Sequence, residues 1–235
     1  MAVYKRILLK LSGEALKSGK DLFDFDKVNE VASIIRRMHD MGVEIGIVIG
    51  AGNIWRGRQG PAASMDAVTA DQMGMLGTVI NCLCMADALR RAGLDAVVQS
   101  AVDMNRFAEP FNAMAARRHL AEGRVVLFAC GTGNPFFSTD SGVALRAIEM
   151  QVDAVLMAKN IDAIYSDDPK KNPAAVRYTD LTYRRIVDEG LRALDMTATI
   201  FCMDNDIRGY AFGLSDPENI YRVVMGEAVG TEIHN

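Results

Sequence analysis

Apolar runs and amphipathic stretches alternate along this chain. Tyr4 to Leu11, Glu44 to Ile49, Asp95 to Ser100, Arg124 to Cys130 and Ala154 to Ala158 are short and mostly apolar, the pattern of strands buried on both faces. Between the first two, Lys27 to Met41 sets Val28, Val31, Ile35 and Met38 on one side, which predicts a helix with Asp26 as N-cap and Gly42 as its stop. Ser141 to Met150 reads as a further helix after the fourth run. Such alternation predicts an α/β fold, a mainly parallel central sheet covered by helices on both faces. Arg208 to Gly213 is a less apolar strand than the rest.

One helical stretch breaks the pattern. Between Asp71 and Asp87 there is no charge, and Met73, Met75, Leu76, Val79, Ile80, Leu83 and Met85 go most of the way round. A surface helix of a monomer shows a polar face. The stretch reads as too short, and too interrupted by Gly74, Gly77 and Asn81, for a membrane span. A wholly buried helix and a subunit interface remain, and the interface is the favoured reading.

Composition narrows the class. With 235 residues, 50% hydrophobic and 24% charged, the chain can bury one substantial core, and no low-complexity segment divides it, so a single domain over 1–235 is expected. The net charge of −4 argues against a nucleic-acid partner. Met1 to Ser12 lacks the apolar core of a secretory signal, which predicts a cytoplasmic protein with no membrane partner. Cys82, Cys84, Cys130 and Cys202, with His39, His119 and His234, show neither disulfide nor zinc spacing.

Ligands of parallel sheets bind beyond the carboxyl ends of the strands. There the chain carries Lys10-Leu11-Ser12-Gly13, then Gly50-Ala51-Gly52-Asn53 with Arg56, then Gly131 to Asp140, and finally Lys159-Asn160-Ile161-Asp162 with Tyr165 and Asp168. The third loop, Gly131-Thr132-Gly133-Asn134-Pro135-Phe136-Phe137-Ser138-Thr139-Asp140, joins a strand to a helix; its glycines, hydroxyls and helix-terminal N–H groups suit a phosphate. Asp140 would repel that phosphate unless a lysine or metal lies between; the plainer reading is that it caps the helix. Together the four loops supply what phosphoryl transfer requires, cations and backbone donors around one point.

Two familiar phosphate motifs are absent. Gly13 to Lys20 resembles a Walker A loop, but its glycines are spaced one residue too widely and Asp21 stands where Ser or Thr should be. Gly50-Ala51-Gly52 begins like a dinucleotide fingerprint, yet Trp55 takes the third glycine's place.

The chain resembles the amino acid kinase family, and within it the bacterial-type uridylate kinases. The likeness rests on Lys10 to Leu16, Val48 to Gly57, Ala70 to Leu76, Gly131 to Asp140 and Val224 to Thr231, in that order along nearly the whole sequence. It implies a three-layer sandwich and ATP-dependent phosphorylation of UMP to UDP. It also implies Mg2+ carried mainly on the phosphates with no metal ligand from the protein, and a homohexamer activated by GTP and inhibited by UTP, as in many relatives. Position by position, Lys10, Leu11, Ser12 and Gly13 match the loop on the ATP phosphates, Lys10 steadying the transferred group. Gly52 and Arg56 match positions near those phosphates. Asn160, Tyr165 and Asp168 match the adenosine side, with the register at Lys159–Asn160 open by one residue.

For the acceptor, Ala51 matches the approach to UMP, Asp71 the acid on its ribose, and Thr132, Gly133, Asn134, Pro135, Phe136, Phe137, Ser138 and Thr139 the binding loop. Asp140 matches the carboxylate that orients the catalytic lysine. The sequence departs from relatives at Ala51 and Ala163, where glycine is usual and a methyl should narrow the pocket. Lys17 to Asp24 lacks the Gly-Phe-Gly of the activator-binding stretch, so GTP activation is the implied property it supports least. Two other readings share part of these residues: a carboxylate or carbamate kinase of the same fold, and a non-catalytic nucleotide or anion binder.

Overall fold

The computed structural model describes residues 2–19, 21–56 and 64–235. Gly57, the last residue of the second motif, and Lys20, the last of the Walker-like stretch, lie outside them. In chain order the elements are β1 (Arg6–Leu11), α1 (Phe25–Asp40), β2 (Glu44–Ile49), α2 (Ala67–Arg91), β3 (Ala96–Ser100), β4 (Glu109–Pro110), α3 (Ala113–Ala121), β5 (Val125–Ala129) and α4 (Thr139–Met150). They continue with β6 (Ala154–Lys159), β7 (Ile164–Tyr165), β8 (Arg177–Tyr178), β9 (Asp180–Thr182), α5 (Tyr183–Glu189), α6 (Met196–Asp204), β10 (Arg208–Gly213), α7 (Asn219–Val224) and β11 (Thr231–His234).

All six expected strands are present, each within a residue or two of its expected bounds. They form a nine-stranded sheet ordered β4-β3-β5-β2-β1-β6-β10-β11-β9, in which only the β10–β11 pairing is antiparallel; β7 and β8 make a separate hairpin. Successive residues of β1 feed opposite cores. Ile7, Leu9 and Leu11 pack with α1, α2 and α7, whereas Leu8 packs with α3 to α6. Both faces being covered, the central strands have no polar alternation, as their apolar runs require. Because β1, β2, β5 and β6 are mutually parallel through their neighbours, their carboxyl ends meet at one edge.

Three expectations are corrected. The N-cap of α1 is Asp24, not Asp26: the Asp24 N–H is tied to the Leu16 carbonyl, holding that residue outside the helix while its carboxylate accepts the Lys27 N–H. Asp26 lies in the first turn. The fourth run ends at Ala129, and Cys130 turns to φ 64°, starting the loop one residue early. Finally, α2 spans 25 residues, so length does not exclude a membrane span; it is the one described helix long and apolar enough to cross one. Its place in this fold is against the sheet, where fully buried Asn81 bonds the Gly50 carbonyl and Asn53. Nor is α2 wholly buried: Met73, Leu76, Ile80 and Leu83 form an exposed apolar stripe.

Candidate active site

Lys10 lies near the end of β1, between buried Leu9 and Leu11, at the carboxyl edge of the sheet. There it meets Asp140, with Nζ 3.0 Å from Oδ1, both side chains largely shielded. Asp140 is free for this because Ser138, not Asp140, caps α4: the Ser138 hydroxyl accepts the N–H groups of Asp140 and Ser141. The capping reading of Asp140 is thereby overturned. α4 begins at Thr139, two residues ahead of its expected start.

Backbone shape prepares the loop after β5. Cys130, Gly131, Gly133 and Phe136 all have positive φ, a conformation that costs a non-glycine residue free energy and persists only when neighbours impose it. Those neighbours are identifiable. Thr78 Oγ1 accepts the Cys130 N–H at 2.8 Å, Arg146 donates to the Gly131 carbonyl at 2.9 Å, and Asp71 accepts the Phe136 N–H at 2.7 Å. Arg146 is itself buried, stacked on the Phe111 ring and paired with Glu149. Ser138 and Ser141 donate to Asp195, the N-cap of α6, which also accepts the Ala198 N–H. The loops after β1 and β2 interlock. A Cβ on Gly13 would come within 2.2 Å of the Gly50 carbonyl oxygen, so only glycine permits the approach.

Two cavities open near the Lys10–Asp140 pair, which lines neither: Thr139, next to Asp140, walls the first, and Lys159, in the field of both charges, walls the second. The first, about 490 Å³, is walled by Ala51, Gly52, Arg56, Asp71, Thr132, Asn134, Phe137, Ser138 and Thr139 among others. The second, about 560 Å³, is walled by Lys159, Ala163, Tyr165, Asp168 and the Gly190–Arg192 turn.

Most expected site residues are therefore brought together, with exceptions. Gly52 and Arg56, matched to the ATP phosphates, line the first cavity, on the side of the acceptor loop. Gly133 turns against Ala101, while Pro135 and Phe136, the latter exposed, lie outside the cavity wall. The Leu11 side chain is buried in the core and its carbonyl accepts the Gly50 N–H. Ser12 makes no capping bond to the turn that follows. Asn160 is not in the wall of the second cavity; its amide donates to Glu14. At the open register it is Lys159 that faces the cavity. The extra methyl at Ala51 finds its room at Gly77 of α2, where a further Cβ would come within 2.9 Å of it, and Ala163 is buried.

Lys159 is the main residue that sequence reading left without a role. It ends β6, while Lys10 is the penultimate residue of the adjacent β1; it donates to the Ala193 carbonyl and lies in the field of both Asp140 and Lys10. Burial pushes its ammonium below the ordinary lysine range; Asp140 opposes the shift and Lys10 adds to it. Its signal was a lysine closing an apolar strand, the same signal that marked Lys10. Glu14, Thr78, Arg146 and Asp195 were also missed, and of these only Arg146, alone and charged in an apolar helix face, was visible beforehand. The carboxyl edge thus carries two ammoniums and a guanidinium: Lys10 held by Asp140, Arg56 by Glu14, and Lys159 by the Ala193 carbonyl.

The sequence profile of the amino acid kinase family matches residues 5–212. This chain belongs to that family. Among solved structures, it is similar to the UMP kinase of Bacillus anthracis, with 37% identity, TM-score 0.93, and 98% of this chain and 96% of that one covered. The UMP kinase of Ureaplasma parvum is 33% identical, with TM-score 0.93 and coverage of 98% and 99%. The uridylate kinase of Archaeoglobus fulgidus is 26% identical, with TM-score 0.76 and coverage of 97% and 99%. The expected amino acid kinase fold is thus the observed one, and the Lys10–Asp140 pair lies within the stretch that the family profile covers.

Proposed function

We infer that this chain transfers the γ-phosphoryl group of ATP to UMP. The observation that carries the reading is the Lys10–Asp140 pair at the carboxyl edge of the sheet, with Thr139 in the wall of one cavity and Lys159 in that of another, in a chain similar over nearly its full length to UMP kinases. UMP occupies the first cavity, with its phosphate on the Thr132–Thr139 loop and its ribose by Asp71. ATP lies along the Lys10–Gly13 loop, with its base toward Tyr165 and Asp168. Transfer needs in-line positioning and stabilisation of charge on the moving group more than covalent help. Lys10, oriented by Asp140, supplies that charge from one strand end; Lys159 supplies it from the next; Arg56 reaches in from the acceptor side.

Mg2+ accompanies ATP and neutralises charge on its phosphate oxygens. The donor set fits an ion held mainly by phosphates and water: the carboxylates nearest the transfer point, Asp140 and Glu14, each already face a cation. The exposed stripe on α2 supports a homo-oligomer, in keeping with the hexamer implied by resemblance, and the reading places the protein in the cytoplasm, in pyrimidine nucleotide synthesis. GTP and UTP are the effectors to try first.

A coupled ADP-release assay over UMP, CMP, AMP and amino-acid acceptors tests the reading. Turnover with UMP well above the others is the expected result. Preference for a carboxylate acceptor would replace it with another reaction of the family, and ATP binding without turnover on any acceptor would make the chain a nucleotide binder.

A further inference from the structure

Glu14 receives no role from the chemistry above, yet its side chain reaches two other loops of the site. It opens the short turn Gly13–Leu16 after β1. One carboxylate oxygen is ion-paired with Arg56 from the loop after β2; the other accepts the Asn160 amide, 3.0 Å away, from the loop after β6. Three strand-end loops thus meet on one carboxylate.

The contact is built rather than incidental. At its base the chain is clamped by the Gly13–Gly50 approach. Along its length the side chain crosses Gly52, where a Cβ would come within 3.1 Å of Glu14 Cγ and 3.5 Å of Oε1, so the second glycine of Gly50-Ala51-Gly52 is what lets it pass. At its head two donors from different loops share the two oxygens. The Glu14 side chain is 28% exposed and that of Arg56 is 55% exposed. Without its partner Arg56 would be a solvated side chain with many rotamers, and its charge would not be aimed before substrate arrives.

We propose that Glu14 is a positioning residue that aims Arg56 at the transferring phosphoryl group and ties the acceptor side of the site to the nucleotide side through Asn160. The proposal rests on the kinase reading above. When the negatively charged phosphates arrive they compete with Glu14 for the Arg56 guanidinium, while Glu14 keeps its hold on Asn160. Removing the carboxylate therefore has opposite effects on the two kinetic constants. Ground-state binding of ATP loses a repulsive neighbour, and the transition state loses a prealigned cation.

The test is a kinetic cycle on the full chain with Glu14→Ala, Glu14→Gln, Arg56→Ala and the double variant Glu14→Ala/Arg56→Ala, each with its thermal melt. Removing a preorganised donor outright costs on the order of 10²- to 10³-fold, and a residue that only aims one should cost about tenfold. The expected result is a fall in kcat of about tenfold for Glu14→Ala with no rise in KM for ATP and an unchanged melt. Glu14→Gln, which keeps an acceptor oxygen but not the charge, should fall between. In the Arg56→Ala background, Glu14→Ala should cost nothing further, because it acts through the guanidinium. Losses that multiply in the double variant, kcat within twofold of wild type, or a loss of activity that tracks a lowered melt would each overturn the proposal. Wild-type turnover of UMP is read in the same experiment, so failure of the kinase reading is seen separately.

Discussion

Lys10 and Lys159 lie at or next to the ends of adjacent strands, and their surroundings separate them. Lys10 has a carboxylate 3.0 Å away; Lys159 has a backbone carbonyl, partial burial and an ammonium pKa that burial depresses. Lys10→Ala should lower kcat on the order of 10²- to 10³-fold with the fold intact, as loss of a preorganised charge does. Asp140→Asn should also cut turnover sharply while the thermal melt stays within a few degrees, since the helix cap it was suspected of being is supplied by Ser138. Steady-state kinetics and circular dichroism melts of both variants check this; a collapsed melt for Asp140→Asn would return that residue to a structural role. Lys10 and Asp140 were legible in the chain because each lies where an apolar run gives way to a glycine-rich loop or a helix start. Lys159 bore the same mark, but at that point the register was open, and one residue's slip exchanges a cavity-facing side chain for its neighbour.

Among elements, the long central strands announced themselves and the edge strands did not. β9 and β11 span Asp180–Thr182 and Thr231–His234, too short for periodicity to register; they pair in parallel with each other, beyond the antiparallel β10–β11 step. Their junction carries a titratable bond: His234 Nε2 lies 2.9 Å from Asp180. The backbone carbonyl of Asn235 and the Asp180 carboxylate hold the imidazole above its ordinary value near 6.5. A raised folded-state pKa means that the stabilising contribution is complete below the unfolded value and is lost as pH rises through the folded one. The gain in melting temperature of wild type over His234→Gln should therefore be larger at pH 5.5 than at pH 9, and small because the pair is part-exposed. A difference independent of pH would show that the pair does not titrate with folding. The cap of α1 is an error of another kind. The sequence pattern points to Asp26, and the Leu16 carbonyl, which belongs to the preceding turn, holds Asp24 in the capping position instead.

For the molecule as a whole, the question is what covers α2. Its inner side packs on the sheet and fastens the loop after β2 through Asn81, while Met73, Leu76, Ile80 and Leu83 stand outward. An apolar stripe without a polar face is the expected surface of a subunit contact. Replacing both Leu76 and Ile80 by Glu should shift sedimentation toward smaller species while retaining the circular dichroism of the fold. Unchanged sedimentation would place any contact elsewhere.

Alternating strand and helix patterns determined, from sequence alone, that the sheet is mainly parallel and doubly covered. With that settled, the carboxyl ends of β1, β2, β5 and β6 had to share an edge, bringing Lys10, Arg56 and Asp140 into one neighbourhood whatever the details. Only the tertiary structure decided which groups hold them: Asp195 behind Ser138, Arg146 behind Gly131, Glu14 between Arg56 and Asn160. Such pairings join segments distant along the chain. Periodicity reports what a residue's own element buries, and it carries no information about which other loop a polar side chain will reach.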